Sequence, residues 1–140
     1  LKVKELYTAQ ALATSGRTGK VISEDGQLDL QLAMPKGLGG SGGSGTNPEQ
    51  LFAGGYAACF ASAVAHVARA QKITTGQFTV EGHVTIGQDD SGAFALAVTL
   101  TGSFAELDKA AAETLMEAAH QVCPYSNATR GNVEVTLAVA

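Results

Sequence analysis

Cysteine is scarce in this sequence: two residues in 140, Cys59 and Cys123. That count excludes a disulfide-rich secreted scaffold. A chain of this length buries a core without disulfides or metals to staple it. Basic charge is also short, with nine Lys and Arg against 13 Asp and Glu. A net charge of −4 supplies no electrostatic footprint for nucleic acid or an anionic membrane. The opening LKVKELYTAQ lacks the basic-then-apolar layout of a leader peptide. No C-x-x-C or H-E-x-x-H occurs, and His66, His83 and His120 fall on separate predicted elements, so metal binding has no motif behind it. The expectation is a single cytoplasmic domain over residues 1–140.

One absence is local. Residues 51–68 hold no Asp, Glu, Lys or Arg. The stretch is half Ala and Gly, with Ser62 and His66 in it, and is expected to be too weakly apolar for a membrane span. An uncharged helix buried at the centre of the domain is the simpler expectation.

What is present orders the chain. Leu28, Leu30 and Leu32 alternate with polar residues, the period of a strand with one buried face. The EDG turn at 24–26 links it to the strand KVIS, and an earlier, less regular strand is expected around Val3 to Thr14. Six glycines between Gly37 and Gly45 mark a loop, read as a linker in preference to an anion cradle, since no Gly-Lys-Ser/Thr follows. Asn47 and Pro48 then open a helix, with Gln50 able to complete a capping box. It runs to about Gln71.

Two strands follow, with Phe78, Val80, Val84 and Ile86 on one face and Phe94, Leu96, Val98 and Leu100 on another, joined through QDDSG. A second helix is capped by Asp108 and presents Ala112, Leu115, Met116, Ala119, Val122 and Cys123 at 3- and 4-residue steps. Pro124 ends it. A last strand alternates through Val133, Val135, Leu137 and Val139. The order β-β-β-α-β-β-α-β is that of an α+β domain with a largely antiparallel sheet.

Both cysteines lie on apolar faces of predicted helices. Buried inert thiols, a static staple or a reactive pair all fit that pattern. A Cys-His hydrolase has no supporting spacing around Cys59.

Four segments carry a resemblance across nearly the whole chain, in order: SGRTGKVISEDGQLDLQL, GGSGGSGTNPEQ, TNPEQLFAGGYAACF and HQVCPYSNATRGN. They resemble the organic hydroperoxide resistance (Ohr) branch of the Ohr/OsmC family. The resemblance implies an intertwined homodimer and a thiol peroxidase that reduces organic hydroperoxides. It implies Cys59 as peroxidatic and Cys123 as resolving residue, with Arg17 and Glu49 beside them. It further implies an external dithiol, a lipoylated protein, as reductant, and no cofactor or metal. An apolar pocket from Phe52, Tyr56, Phe60 and Met116 would favour alkyl or lipid hydroperoxides. Glu49 and Cys59 are ten residues apart on one predicted helix, ~15 Å along its axis. Arg17 and Glu49 are therefore expected to serve Cys59 of the partner subunit, the alternative being a kink at Gly54-Gly55 that brings them together within one chain. A redox sensor using the same disulfide as a switch, an OsmC-like peroxidase of broader substrate use and a domain with inert thiols are the alternatives.

Overall fold

The computed structural model describes residues 2–140. The chain forms two compact units that divide at Pro48.

The first unit holds an antiparallel sheet of β1 (Ala11–Thr14), β2 (Lys20–Ser23) and β3 (Asp29–Gln31), in that order. The expected strand from Val3 shrinks to the four residues of β1; residues 2–10 form no strand. The β2–β3 turn is built on Asp25, whose carboxylate accepts from the Ser23 hydroxyl (2.7 Å) and the Gln27 N–H (3.0 Å). Of the alternating leucines only Leu32 is buried; Leu30 is exposed. Among the described residues the three short strands have no α-helix of their own unit to pack against, so alternation here does not produce a dry face. The glycine-rich segment is not a free linker. Its backbone is tied to the end of β3: Ala33 N–H donates to Thr46 O (2.9 Å), Thr46 N–H to Gln31 O (2.9 Å) and Gly42 N–H to Met34 O (3.3 Å).

The second unit carries α1 (Pro48–Ala70), β4 (Phe78–Gln88), β5 (Phe94–Phe104), α2 (Lys109–Val122), α3 (Pro124–Thr129) and β6 (Glu134–Val139). Its sheet runs β4-β5-β6, with β4 antiparallel and β6 parallel to β5. The parallel pair requires a crossover, which α2 and α3 supply. The QDDSG turn is held by Asp89, which accepts from the Ser91 N–H (2.8 Å) and the Ala93 N–H (3.1 Å).

The core follows the predicted parities. Val98 and Leu100 of β5 are buried against Tyr56, Phe60, Val64 and Val67 of α1 and Leu115, Met116 and Ala119 of α2, with Phe78, Val80 and Val84 packed around them. Each large side chain buried this way stabilises the fold by ~1.5–3 kcal/mol. Phe94, 77% exposed, departs from its parity because it pairs with Gln88 at the far tip of the hairpin, away from this cluster. Two inward positions are glycine where the helices cross the sheet. A Cβ on Gly82 would stand 2.8 Å from the Ala53 carbonyl oxygen of α1, and one on Gly102 would stand 2.6 Å from the Met116 sulfur of α2. These glycines set how closely both helices lie on the strands.

The central helix is buried on one stripe, not all round. Tyr56, Phe60, Ala63, Val64, Val67 and Ala68 face the core, whereas Gly54, Ala58, Ser62 and His66 are exposed. By length and composition α1 is apolar enough to cross a membrane. In this fold its large side chains are spent on the sheet, and small ones occupy the outer face.

Candidate active site

Pro124 cannot continue α2, and it holds Cys123 extended (φ −66°, ψ 125°). The chain then re-enters a helix at once. Cys123 therefore closes α2 and opens α3, a corner that the sequence reading replaced with a simple stop. The same proline that ends one helix sits at the first position of the next, where its fixed φ and missing N–H are no handicap.

This corner lies against α1. The Cys123 thiol donates to the Cys59 sulfur over 3.7 Å, and both cysteines are free thiols. Their environments differ. Cys123 is fully buried, and Cys59 is partly exposed. Cys59 opens on a surface pocket of ≈ 360 Å³ lined by Ser62, Ala63, His66, Val122 and Pro124. Burial pushes the Cys59 thiol above its usual range, the backbone N–H of Tyr125 pulls it down, and the neighbouring Cys123 raises it again. Among the described residues no group of three His, Cys, Asp or Glu is placed to hold a metal ion.

A polar network lies under the corner. Tyr56 Oη is 2.8 Å from Ser126 Oγ and 3.1 Å from Thr129 Oγ1. Ser126 Oγ is 2.7 Å from His120 Nδ1, and Thr129 donates to the Ser126 carbonyl (3.2 Å). Arg130 donates to the His120 carbonyl (2.6 Å) and to the Asn127 side chain (2.8 Å). Burial, and then the Arg130 cation, hold His120 below the usual imidazole range, against a weaker opposite pull from Glu117.

The structure brings Cys59 and Cys123 together. Phe52, Tyr56, Phe60 and Met116 do not line the pocket at Cys59, but they lie in or against the core cluster that holds Cys123 and that Cys59 packs on. Tyr56, Phe60 and Met116 have essentially no exposed surface and belong to the core. Phe52 and Tyr56 instead form a ring cluster with Tyr125, with centroids 5.5–6.3 Å apart. The walls at Cys59 are Ser62, Ala63 and His66, which follow it at helical steps of three, four and seven, together with Val122 and Pro124 from the corner. The first three are readable from helical spacing. The exposure of Val122, predicted as core, is explained by its place on this wall.

In the first unit, Arg17 sits half-buried in a 3-10 turn, Gly16–Thr18, between β1 and β2. Gly16 takes φ +60°, and a Cβ on Gly19 would overlap the Thr14 carbonyl oxygen at 1.6 Å. The two glycines of G-R-x-G thus make the turn that presents the arginine. Glu49 lies in the first turn of α1.

Residues 40–138, which include both cysteines, match the family model described as OsmC-like protein. The chain belongs to the Ohr/OsmC family. It is 53% identical to the organic hydroperoxide resistance protein of Xanthomonas axonopodis pv. citri (strain 306), over 98% of this chain and 96% of that one. It is 49% identical to the organic hydroperoxide resistance protein OhrB of Bacillus subtilis (strain 168), over 94% and 96% of the two chains. The crystal structure of an organic hydroperoxide resistance protein from Legionella pneumophila superposes with a TM-score of 0.91 at 50% identity, covering 98% of this chain and 99% of that one. One from Elizabethkingia anophelis, with thiocyanate bound, also reaches 0.91, at 51% identity and 99% coverage of each. The α+β architecture is therefore that of the Ohr/OsmC fold.

Proposed function

We propose that this protein is a two-cysteine peroxidase that reduces organic hydroperoxides to alcohols. The observation that carries the reading is the thiol pair: a partly exposed Cys59 at a pocket, 3.7 Å from a fully buried Cys123. Relatives named for organic hydroperoxide resistance support the substrate class.

The Cys59 thiolate attacks a peroxide oxygen. The O–O bond breaks, the alkoxide takes a proton and leaves as ROH, and Cys59 becomes a sulfenic acid. The Cys123 sulfur then attacks the sulfenic sulfur, an S–S bond forms and water leaves. A dithiol, proposed to be a lipoyl group on a partner protein, restores both thiols by two exchanges and is itself oxidised to a disulfide.

Attack requires a thiolate, and burial favours the thiol at Cys59. A cation is needed, and Arg17 is the proposed one: it keeps its charge, stabilises the thiolate and holds the departing alkoxide. Glu49 is proposed to orient it through a bidentate pair. The protein is further proposed to work as a homodimer, with Arg17 and Glu49 serving Cys59 of the partner subunit. Val3, Leu6, Tyr7 and Leu12, 66–96% exposed, and the uncharged outer face of α1 support an assembly that covers them.

The test is cumene hydroperoxide consumption with dihydrolipoamide as reductant. Multi-turnover loss is expected from the native protein and none from Cys59→Ser. Mixed dimers of Arg17→Ala and Cys59→Ser subunits regain one working site if the site is shared. One equivalent consumed without turnover, whichever dithiol is supplied, would make the disulfide a switch and refute the enzyme.

A further inference from the structure

The mechanism leaves the buried polar network unused, and Tyr56 at its centre is not a pocket residue. We propose that Tyr56, with Ser126, Thr129 and His120, forms a directional hydrogen-bond chain that positions the α2–α3 corner against Cys59. The proposal rests on the peroxidase reading for its consequence in turnover, but not for its test.

The direction of the chain follows from counting protons. A carbonyl only accepts, so the Thr129 hydroxyl proton goes to Ser126 O. Thr129 Oγ1 must then accept from Tyr56, whose single proton is thereby used. Tyr56 Oη accepts from Ser126, so Ser126 Oγ accepts in turn from His120 Nδ1–H. Each donor is used once, and among the described residues no buried side-chain polar atom lacks a partner. His120 is thereby fixed as the Nδ1–H tautomer, and its depressed proton affinity keeps the ring neutral at pH 7.

The chain ties three helices together. Tyr56 comes from α1, one turn before Cys59. His120 comes from the last turn of α2, one turn before Cys123. Ser126 and Thr129 come from α3. Ser126 and Tyr56 have no exposed surface, so water does not compete for these bonds. What the chain holds still is the start of α3, where Cys123 stands 3.7 Å from the Cys59 sulfur and the Tyr125 backbone N–H lowers the proton affinity of the Cys59 thiol. Both contacts depend on α3 staying docked. A six-residue helix makes too few bonds to hold itself in place. Tyr56 is thus a positioning residue. It acts on Cys59 through the placement of the α2–α3 corner.

Tyr56→Phe keeps the ring and removes one hydroxyl. The readout is the pH profile of iodoacetamide alkylation at Cys59 in the reduced protein, followed by mass spectrometry, which needs no peroxide activity. The midpoint is expected to rise by roughly half to one pH unit as the N–H loses its aim, with alkylation at pH 7 about 3- to 10-fold slower. Thr129→Val should shift it in the same direction, and Thr129→Ser, which keeps the oxygen, should restore it. If Tyr56→Phe fails to fold, the two Thr129 variants decide. Val64→Ala loosens the core with the chain intact, and its midpoint should stay in place. Unmoved midpoints in Tyr56→Phe and Thr129→Val, or an equal shift in Val64→Ala, would overturn the proposal. Absent peroxide turnover with the expected shifts would sink the peroxidase reading alone.

Discussion

Oxidation of the thiol pair should stabilise the protein, by an amount the loop length sets. Cys59 and Cys123 are 64 positions apart. Closing a loop of that size removes chain entropy from the unfolded state worth about 4 kcal/mol at 25 °C. The native state loses little in exchange. The sulfurs already stand 3.7 Å apart, so forming the bond asks for an approach of about 1.7 Å. Cys123, extended at the junction of two helices, is the end able to move. Urea unfolding of reduced and oxidised protein should therefore differ by about 3–4 kcal/mol, or roughly 10 °C in Tm. By linkage, folding favours the disulfide by the same amount, which lowers its reduction potential by about 65–85 mV relative to the unfolded chain. Such a disulfide calls for a strong dithiol reductant. Cys59→Ser should show no gap between the two conditions. A gap below ~1 kcal/mol, with the bond confirmed by mass, would show that the oxidised geometry is strained and that the resting pair is not poised to close.

Two further outcomes follow from packing and charge. Gly102→Ala places a Cβ 2.6 Å from Met116 and 2.8 Å from the Phe104 ring, and should cost about 1–3 kcal/mol in denaturant unfolding. Gly87→Ala on the neighbouring strand meets nothing within 4 Å and should change stability by less than ~0.5 kcal/mol. His120 has a lower proton affinity folded than unfolded, so between its folded pKa and ~6.5 the unfolded chain binds more protons. Stability should fall as pH drops below ~6.5 and level off once the folded pKa is passed. His120→Asn, which keeps a donor near Ser126, should flatten that slope; an unchanged slope would mean His120 is not its source.

Most elements were legible because their signals are local. Pro48 opens α1 with its fixed φ, and Asp108 caps α2 by accepting from the Ala111 N–H, chemistry that a few neighbouring residues determine. The parities of β4, β5 and β6 carry the buried face directly. The early leucines misled for the opposite reason: alternation states which side can be buried, not whether anything packs on it. The corner at Cys123 was half legible. Proline does end α2, but the restart into α3 is held by Tyr56 and His120, which lie 70 and six residues from Ser126.

The sequence by itself determined the element order apart from α3, the two thiols and the family to which the chain belongs, because caps, periodicity and motif spacing act over short separations. Only the tertiary structure decided what the thiols can do. A separation of 64 positions carries no distance, and the residues around each cysteine do not say which thiol is buried. Packing of the α2–α3 corner on α1 places their sulfurs at 3.7 Å, buries one and opens the other to a pocket. The same packing turns Tyr56 from an aromatic near a cysteine into a buried hydroxyl with two partners. Burial and hydrogen bonding depend on residues brought together from three helices, and no window of the sequence contains them all.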